Sequence, residues 1–287
     1  MGETPKVVAA GDLSVPLVVR VVSAVLTLDP RPLVVINETT GPLVEQALHA
    51  AGVGFTAVLQ QAGMPGMGGA ALSALRSLDE SPDDVLIVWA DMGMVWAPNL
   101  WLSVALHQRL ASRMSFPTKT RTDPYVSTVR DALGQPCDFL FRRQGDAMPP
   151  IGESDCGAFV FDVSMLRDLL ESLASSPRTD AAEIDLLPLV RDISAAGESR
   201  FAFHLASDSE SQGVNTIEEL AKANQRYATG LERTRDAFVS AANRTELLDI
   251  VTRHGLQPPL VRDFRNQMAR TGLLSMDLPP GLRPLCR

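Results

Sequence analysis

The run Asp84-Val85-Leu86-Ile87-Val88-Trp89 has no polar face beyond its first residue. A strand that is apolar on both sides needs cover on both sides, and an α/β architecture supplies it with helices above and below a sheet. The flanking sequence keeps the same rhythm. Residues 33–37 read as a strand, Thr39 as the N-cap of a helix to 51, 55–60 as a strand, and 70–78 and 99–112 as helices. Beyond 116 the pattern changes. Residues 126–131 and 136–143 flank a turn at Ala132-Leu133-Gly134-Gln135 and predict a hairpin. A strand at 157–161 follows, then helices at 165–174 and 182–195, a strand at 201–206 and a helix at 216–228. The second of those helices opens on Asp180 and Glu183 at capping-box spacing. The expected fold is a Rossmann-like, mixed but mostly parallel α/β sheet flanked by helices over residues 1–228, with a helical C-terminal extension over 229–287. In that extension Asn243-Arg244-Thr245-Glu246 reads as a cap and Gly255 as a stop.

A chain of 287 residues, 45% apolar and 21% charged, can bury a large core. Its net charge of −8 argues against a nucleic-acid partner, whose phosphates call for a basic surface. It leaves room for a small anionic substrate met by a few local cations. Three separated cysteines, Cys137, Cys156 and Cys286, form neither a disulfide framework nor a zinc pattern, so a reducing, cytoplasmic setting is expected. No run reaches the ~20 apolar residues of a membrane span. Residues 15–28 come nearest, but Arg20 interrupts them and they read as a buried helix. His49, His107, His204 and His254 are scattered and read as structural or surface residues.

Four segments could carry chemistry. Asp91 follows the apolar strand at its carboxyl end, where open α/β sheets bind ligands, and a carboxylate there serves equally as a metal ligand or a loop residue. Gln60 to Ala70 runs strand, glycine turn, helix, and its glycines suit either backbone approach to a ligand or tight packing. Glu153 and Asp155 stand directly before the strand at 157. Asn215, within Gly213-Val214-Asn215, is an amide ligand or a helix cap.

In this order the segments resemble the sugar-1-phosphate nucleotidyltransferases, especially the uridylyltransferase domain that makes UDP-N-acetylglucosamine. The matching positions read Met1…Pro5-Lys6, Gln60, Gly66-Met67-Gly68, Ala90-Asp91, Glu153-Ser154-Asp155-Cys156-Gly157 and Gly213-Val214-Asn215. The resemblance covers residues 1 to about 228. Departures lie on the acceptor side: Asp155 stands where the family usually has Asn, Gly93 where it has Pro, and Arg142-Arg143-Gln144-Gly145-Asp146 replaces a Glu-rich stretch.

The resemblance implies transfer of a nucleotide, with UTP favoured, from an NTP to a sugar-1-phosphate. It implies Lys6 and Asp91 as catalytic residues, and Mg²⁺ held by Asp91 and Asn215. Gln60, Gly66, Met67 and Gly68 would take the nucleotide, and Glu153, Asp155 and Gly157 the sugar. The alternative is an inactive nucleotide- or sugar-binding protein, or partner subunit, of the same fold. A homo-oligomer would form through the C-terminal helices. In the family register the opening VVAAG (residues 7–11) follows the phosphate-binding glycine loop, so a first strand and its glycines are expected upstream of Met1. The rival parse makes residues 6–10 the first strand, with Gly11-Asp12 as a minimal loop.

Overall fold

The computed structural model describes residues 5–10, 15–26, 28–78, 82–95, 97–176, 183–205 and 213–226. The expected extension at 229–287 and the Asp180 half of the capping box lie outside them. In chain order the elements are α1 (Leu17–Val25), β1 (Leu33–Ile36), α2 (Gly41–Ala50), β2 (Thr56–Leu59), α3 (Gly66–Arg76), β3 (Asp84–Val88), α4 (Ala97–Arg109) and β4 (Met114–Thr122). Then come β5 (Val126–Arg130), β6 (Pro136–Phe141), β7 (Ile151–Asp155), β8 (Ala158–Asp162), α5 (Val163–Ser175), α6 (Leu189–Ala195), β9 (Arg200–His204) and α7 (Ile217–Arg226).

The architecture is mixed α/β. β1 and β2 form a parallel pair, β5 and β6 an antiparallel hairpin, and the remaining strands one sheet in the order β3-β8-β4-β7, with β9 parallel to β4. The principal core lies between this sheet and α3, α5 and α6. Phe116, Phe139, Phe159 and Phe161 are buried there, with Phe116 5.2 Å from Phe159 and 5.5 Å from Phe139, ring centre to ring centre. Each such side chain contributes roughly 1.5–3 kcal/mol by leaving water. α1 is nearly all β-branched and aliphatic, so burial rather than helix propensity holds it. Its Arg20 is buried as well, reaching Val15 O at 3.1 Å and Asn224 Oδ1 on α7 at 2.5 Å. No described helix is long and apolar enough to cross a membrane.

Several local expectations are corrected. Residues 6–10 are not a strand: Lys6–Val8 form a single 3-10 turn, which removes the rival parse. The residue capping α2 is Thr40 rather than Thr39, without a side-chain cap bond, and the turn before it is held by Asn37 Oδ1 accepting from Thr40 N at 2.8 Å. α3 begins at Gly66, four residues early, and the glycine turn is its first turn. α6 begins only at Leu189, because Pro188 sits at its N-cap and Ile184 is tied as an extended strap across α3 (Ile184 N to Pro65 O, 2.9 Å). Residues 151–155 are themselves a strand, β7, paired with a nine-residue strand, β4, that the sequence pattern did not reveal.

A discontinuity runs through the middle. Among the described residues β1 pairs only with β2 and β3 only with β8, so each keeps one edge open. All nine residues of the two strands are half-exposed, although β3 has the composition of a strand covered on both faces. Leu86 and Val88 pack on the α1 side and Val85 and Ile87 on the α3 side, so helices do cover both faces. What is open is the gap between the strands, a cavity of about 1270 Å³ that both edges line.

Candidate functional site

At its carboxyl end this cavity meets three segments distant in sequence. Lys6 projects from the 3-10 turn, and its Nζ donates to Asp91 Oδ2 at 2.5 Å and to Asn215 Oδ1 at 3.1 Å. Asp91 is placed by β3: Trp89 N donates to Gly157 O (2.8 Å), which anchors the strand end against β8. Val214 N reaches Asp91 O at 3.3 Å and brings Asn215 alongside. The cap of α7 belongs to Thr216, not Asn215. Glu219 N donates to Thr216 Oγ1 (3.1 Å), while Glu219 Oε2 accepts from Asn215 N (2.7 Å) and Thr216 N (3.0 Å). This reciprocal pair is a capping box, and it leaves the Asn215 amide oxygen directed at Lys6.

Asp91 and Asn215 thus offer two hard oxygens to one cation-sized point that an ammonium already touches. That donor set fits a divalent ion completing its shell with phosphate and water. Among the described residues no group of three His, Cys, Asp or Glu converges, so an ion would depend on its ligand for the remaining oxygens.

Asp155, at the end of β7, is buried and faces the same cavity. Burial pushes its carboxyl up to about 6, opposed by the bond from Gly157 N (2.8 Å to Oδ1) and the charge of Arg121, and reinforced by the charge of Asp91. Arg121, Tyr125 and Arg143 line the cavity too and were not singled out from sequence. Arg121 was hidden because it lies on β4; Arg143 stands in the departing stretch 142–146, and its guanidinium is paired with Asp185.

Other expected contacts are turned inward. Arg130 grips Glu153 with both nitrogens (2.7 Å Nε–Oε2, 2.5 Å Nη2–Oε1), and Thr118 donates to the same carboxylate. Burial acts to raise the Glu153 carboxyl, but the Arg130 and Thr118 bonds hold it below the usual range. Gln60 Nε2 donates to Met64 O (2.8 Å) and Gly66 O (3.1 Å), pinning the glycine turn. Gly68 N donates to Ile184 O at 2.7 Å, and a Cβ on Gly68 would stand 2.5 Å from Ile184 Cγ2. Those glycines serve close packing. Gly157, at φ +64°, lets Met92 approach where a Cβ would lie 2.5 Å from its Cγ. Met67 alone of the turn lines the cavity.

His107 is structural, as expected. Its Nδ1 is 3.0 Å from Ser115 Oγ and its Nε2 3.2 Å from Asp84 Oδ1, in a triad-like line, but Ser115 is fully buried and burial pushes the imidazole pKa down.

The mixed sheet between helices is the fold of solved nucleotide-transferring enzymes, and the chain resembles the nucleotide-diphospho-sugar transferases. The structure aligns with 4-diphosphocytidyl-2C-methyl-D-erythritol synthase from Anaerococcus prevotii at TM-score 0.54 and 14% identity, over 78% of this chain and 93% of that one. It aligns with the inositol-1-phosphate CTP transferase from T. maritima at TM-score 0.53 and 15% identity, over 78% and 89%. In sequence it is 26% identical over 213 residues to the bifunctional protein GlmU of Mycobacterium bovis, covering 71% of this chain. The chain spans 42% of that relative's length. No family model matches it.

Proposed function

We propose that this chain transfers a nucleotidyl group, with UTP favoured, from an NTP to a sugar-1-phosphate. The observation that carries the reading is the convergence of Lys6, Asp91 and Asn215 at the carboxyl end of β3. The likeness to GlmU and to a CTP transferase agrees with it.

In the proposed reaction a phosphate oxygen of the sugar ester attacks the α-phosphorus of the NTP. The bond from that phosphorus to the β-bridging oxygen breaks, and pyrophosphate leaves with the electron pair. With a second pKa near 6, a phosphate monoester is already mostly dianionic at neutral pH, so the attacking oxygen needs no strong base. The work left to the protein is positioning and charge neutralisation. Lys6 supplies a compact cation to the phosphates. Asp91 and Asn215 would hold Mg²⁺, which contributes charge neutralisation when bound. Arg121 and Arg143 line the same cavity. Asp155 is the candidate for a sugar hydroxyl.

The test is a matrix of the four NTPs against hexose- and N-acetylhexosamine-1-phosphates, with and without MgCl₂, read by pyrophosphate release. Release confined to one nucleotide and one ester class, and dependent on Mg²⁺, is expected. Saturable nucleotide binding with no release from any pair would instead establish the binding-only reading, which the engagement of Glu153 by Arg130 and of Gly68 N–H by Ile184 favours.

A further inference from the structure

Lys6, Asp91 and Asn215 reach one point from three separate segments, and two of those segments are clamped together again by a buried amide. Asn224 lies on α7, about two turns beyond the capping box that orients Asn215. Its side chain is 4% exposed and makes two hydrogen bonds of opposite sense. Nδ2 donates to Ala10 O at 2.9 Å, at the end of the arm (residues 5–10) that carries Lys6. Oδ1 accepts from Nη2 of Arg20 on α1 at 2.5 Å, and Arg20 is itself buried. The two partners fix the orientation of the amide, since a guanidinium only donates and a carbonyl only accepts.

The arm runs alongside α7 between two contacts. Lys6 Nζ meets Asn215 Oδ1 at one end (3.1 Å), Ala10 O meets Asn224 at the other, and Ala9 packs with Val214, Leu220 and Ala223 between them. The arm's own turn is closed by Val8 N to Pro5 O and Ala9 N to Lys6 O, both 3.1 Å. Among the described residues, two hydrogen bonds tie its backbone to the rest of the chain: Leu17 N to Ala9 O (3.2 Å) and Asn224 Nδ2 to Ala10 O. The first anchors the arm to α1. The second anchors it to the helix that positions Asn215. Val7 and Val8 add apolar packing against α1 and α2, but such contact is non-directional and does not fix a register.

We propose that Asn224 is a positioning residue of the candidate site: by holding Ala10 O and Arg20 at once, it locks the arm, α7 and α1 in one register and so sets where the Lys6 ammonium stands relative to Asp91 and Asn215. It does not line the cavity and acts through Lys6. The amide is the side chain that suits this place, because aspartate would lose the donor and leucine would lose both bonds. Misplacing a group that must meet a reacting phosphate by about 1 Å costs up to about 10²-fold in rate. The consequence for catalysis rests on the proposed reaction. The positioning itself does not, since the engagement of Lys6 can be read without any ligand.

The lysines of the chain are Lys6, Lys119 and Lys222, and they supply their own controls: Lys119 is buried on β4 and Lys222 is exposed on α7. The test is brief acylation of the full 287-residue chain with acetic anhydride, read by mass spectrometry at each lysine. An ammonium must leave its acceptors before it reacts, so the Lys6 rate reports how firmly Asp91 and Asn215 hold it. Asn224→Asp keeps an acceptor for Arg20, now charge-assisted, but deletes the donor to Ala10 O. Lys6 should then react about fivefold faster or more relative to Lys222, with Lys119 unchanged and the unfolding midpoint held or raised. Asn224→Leu also strips Arg20 of that acceptor, so it should free Lys6 to the same extent while lowering the midpoint. In the pyrophosphate assay both variants should lose about tenfold or more in kcat, with a smaller change in KM for the NTP. Lys6 unchanged in either variant, or Lys6 and Lys119 quickening together in Asn224→Asp, overturns the inference. So does a parental kcat with Lys6 freed, for the register would then not matter to the reaction. A parent chain that releases no pyrophosphate refutes the proposed reaction instead, and the labelling still decides the positioning.

Discussion

Asp155 offers the sharpest test of the electrostatics of the site. Its carboxyl pKa is about 6 in the folded chain against an ordinary value of 3.8, mainly because burial disfavours the anion. The sign is the reverse of that for a carboxylate in a salt bridge. Between those two pH values the folded state binds more protons than the unfolded one, so stability falls as pH rises through the window and levels off above it. At about 1.4 kcal/mol per pKa unit, the ionised form at pH 8 costs on the order of 3 kcal/mol relative to pH 3.5. Asp155→Asn keeps an acceptor for Gly157 N and carries no charge. Urea unfolding of both proteins from pH 4 to 8 should show the variant gaining on the parent as pH rises, with the difference growing by about 2.5 kcal/mol. Saturating MgCl₂ with a nucleotide should shrink the difference, since a cation near Asp91 offsets the like charge that raises Asp155. A difference that is flat across pH 4 to 8 would refute the argument, for it would mean that Asp155 titrates alike folded and unfolded.

Asp91→Asn should lower pyrophosphate release by about 10²–10³-fold, as for loss of one preorganised electrostatic group, with the unfolding midpoint held or raised. Arg130→Met leaves the half-buried Glu153 carboxylate without its main partner and should destabilise by about 1–2 kcal/mol at pH 7 in urea titrations. Because the pair depresses the Glu153 pKa, that penalty should fade as pH falls through the carboxylate range. Gly69→Ala places a Cβ 1.9 Å from Met64 O and should cost about 3 kcal/mol or more, whereas Gly134→Ala, at φ +75° with nothing within 4 Å, should cost only about 1–2 kcal/mol. Paired thermal melts separate the two.

What the sequence made legible followed from how strongly side chains repeat. β1, β2, β3 and the β5–β6 hairpin are short apolar or alternating runs, and their positions agree within a residue or two. β4 escaped because MSFPTKTRT carries a proline and a string of polar residues, features that normally demote a strand. It is central all the same, since β7, β8 and β9 supply its bonds. β7 escaped for a related reason: Glu153, Ser154 and Asp155 look like a loop until partners are known. At the site, Lys6, Asp91 and Asn215 were nominated by register with a family. That one ammonium bridges the other two, 85 and 209 residues away, is a tertiary fact that no local pattern encodes. The glycines of α3 read ambiguously because their freedom serves contact with Ile184, a strap whose path no propensity predicts.

The two facing edges also govern how the protein behaves in a tube. Rows that have no partner among the described residues, flanked by valine and leucine, are templates for any strand released by neighbouring molecules, so yield and shelf life should be limited by edge-to-edge capture rather than by core packing. The net charge of −8 opposes that encounter only at long range and is screened by salt. Solubility is then best improved not in the core but at one residue of the rim, by a charge such as Val35→Lys that refuses a neighbour's strand.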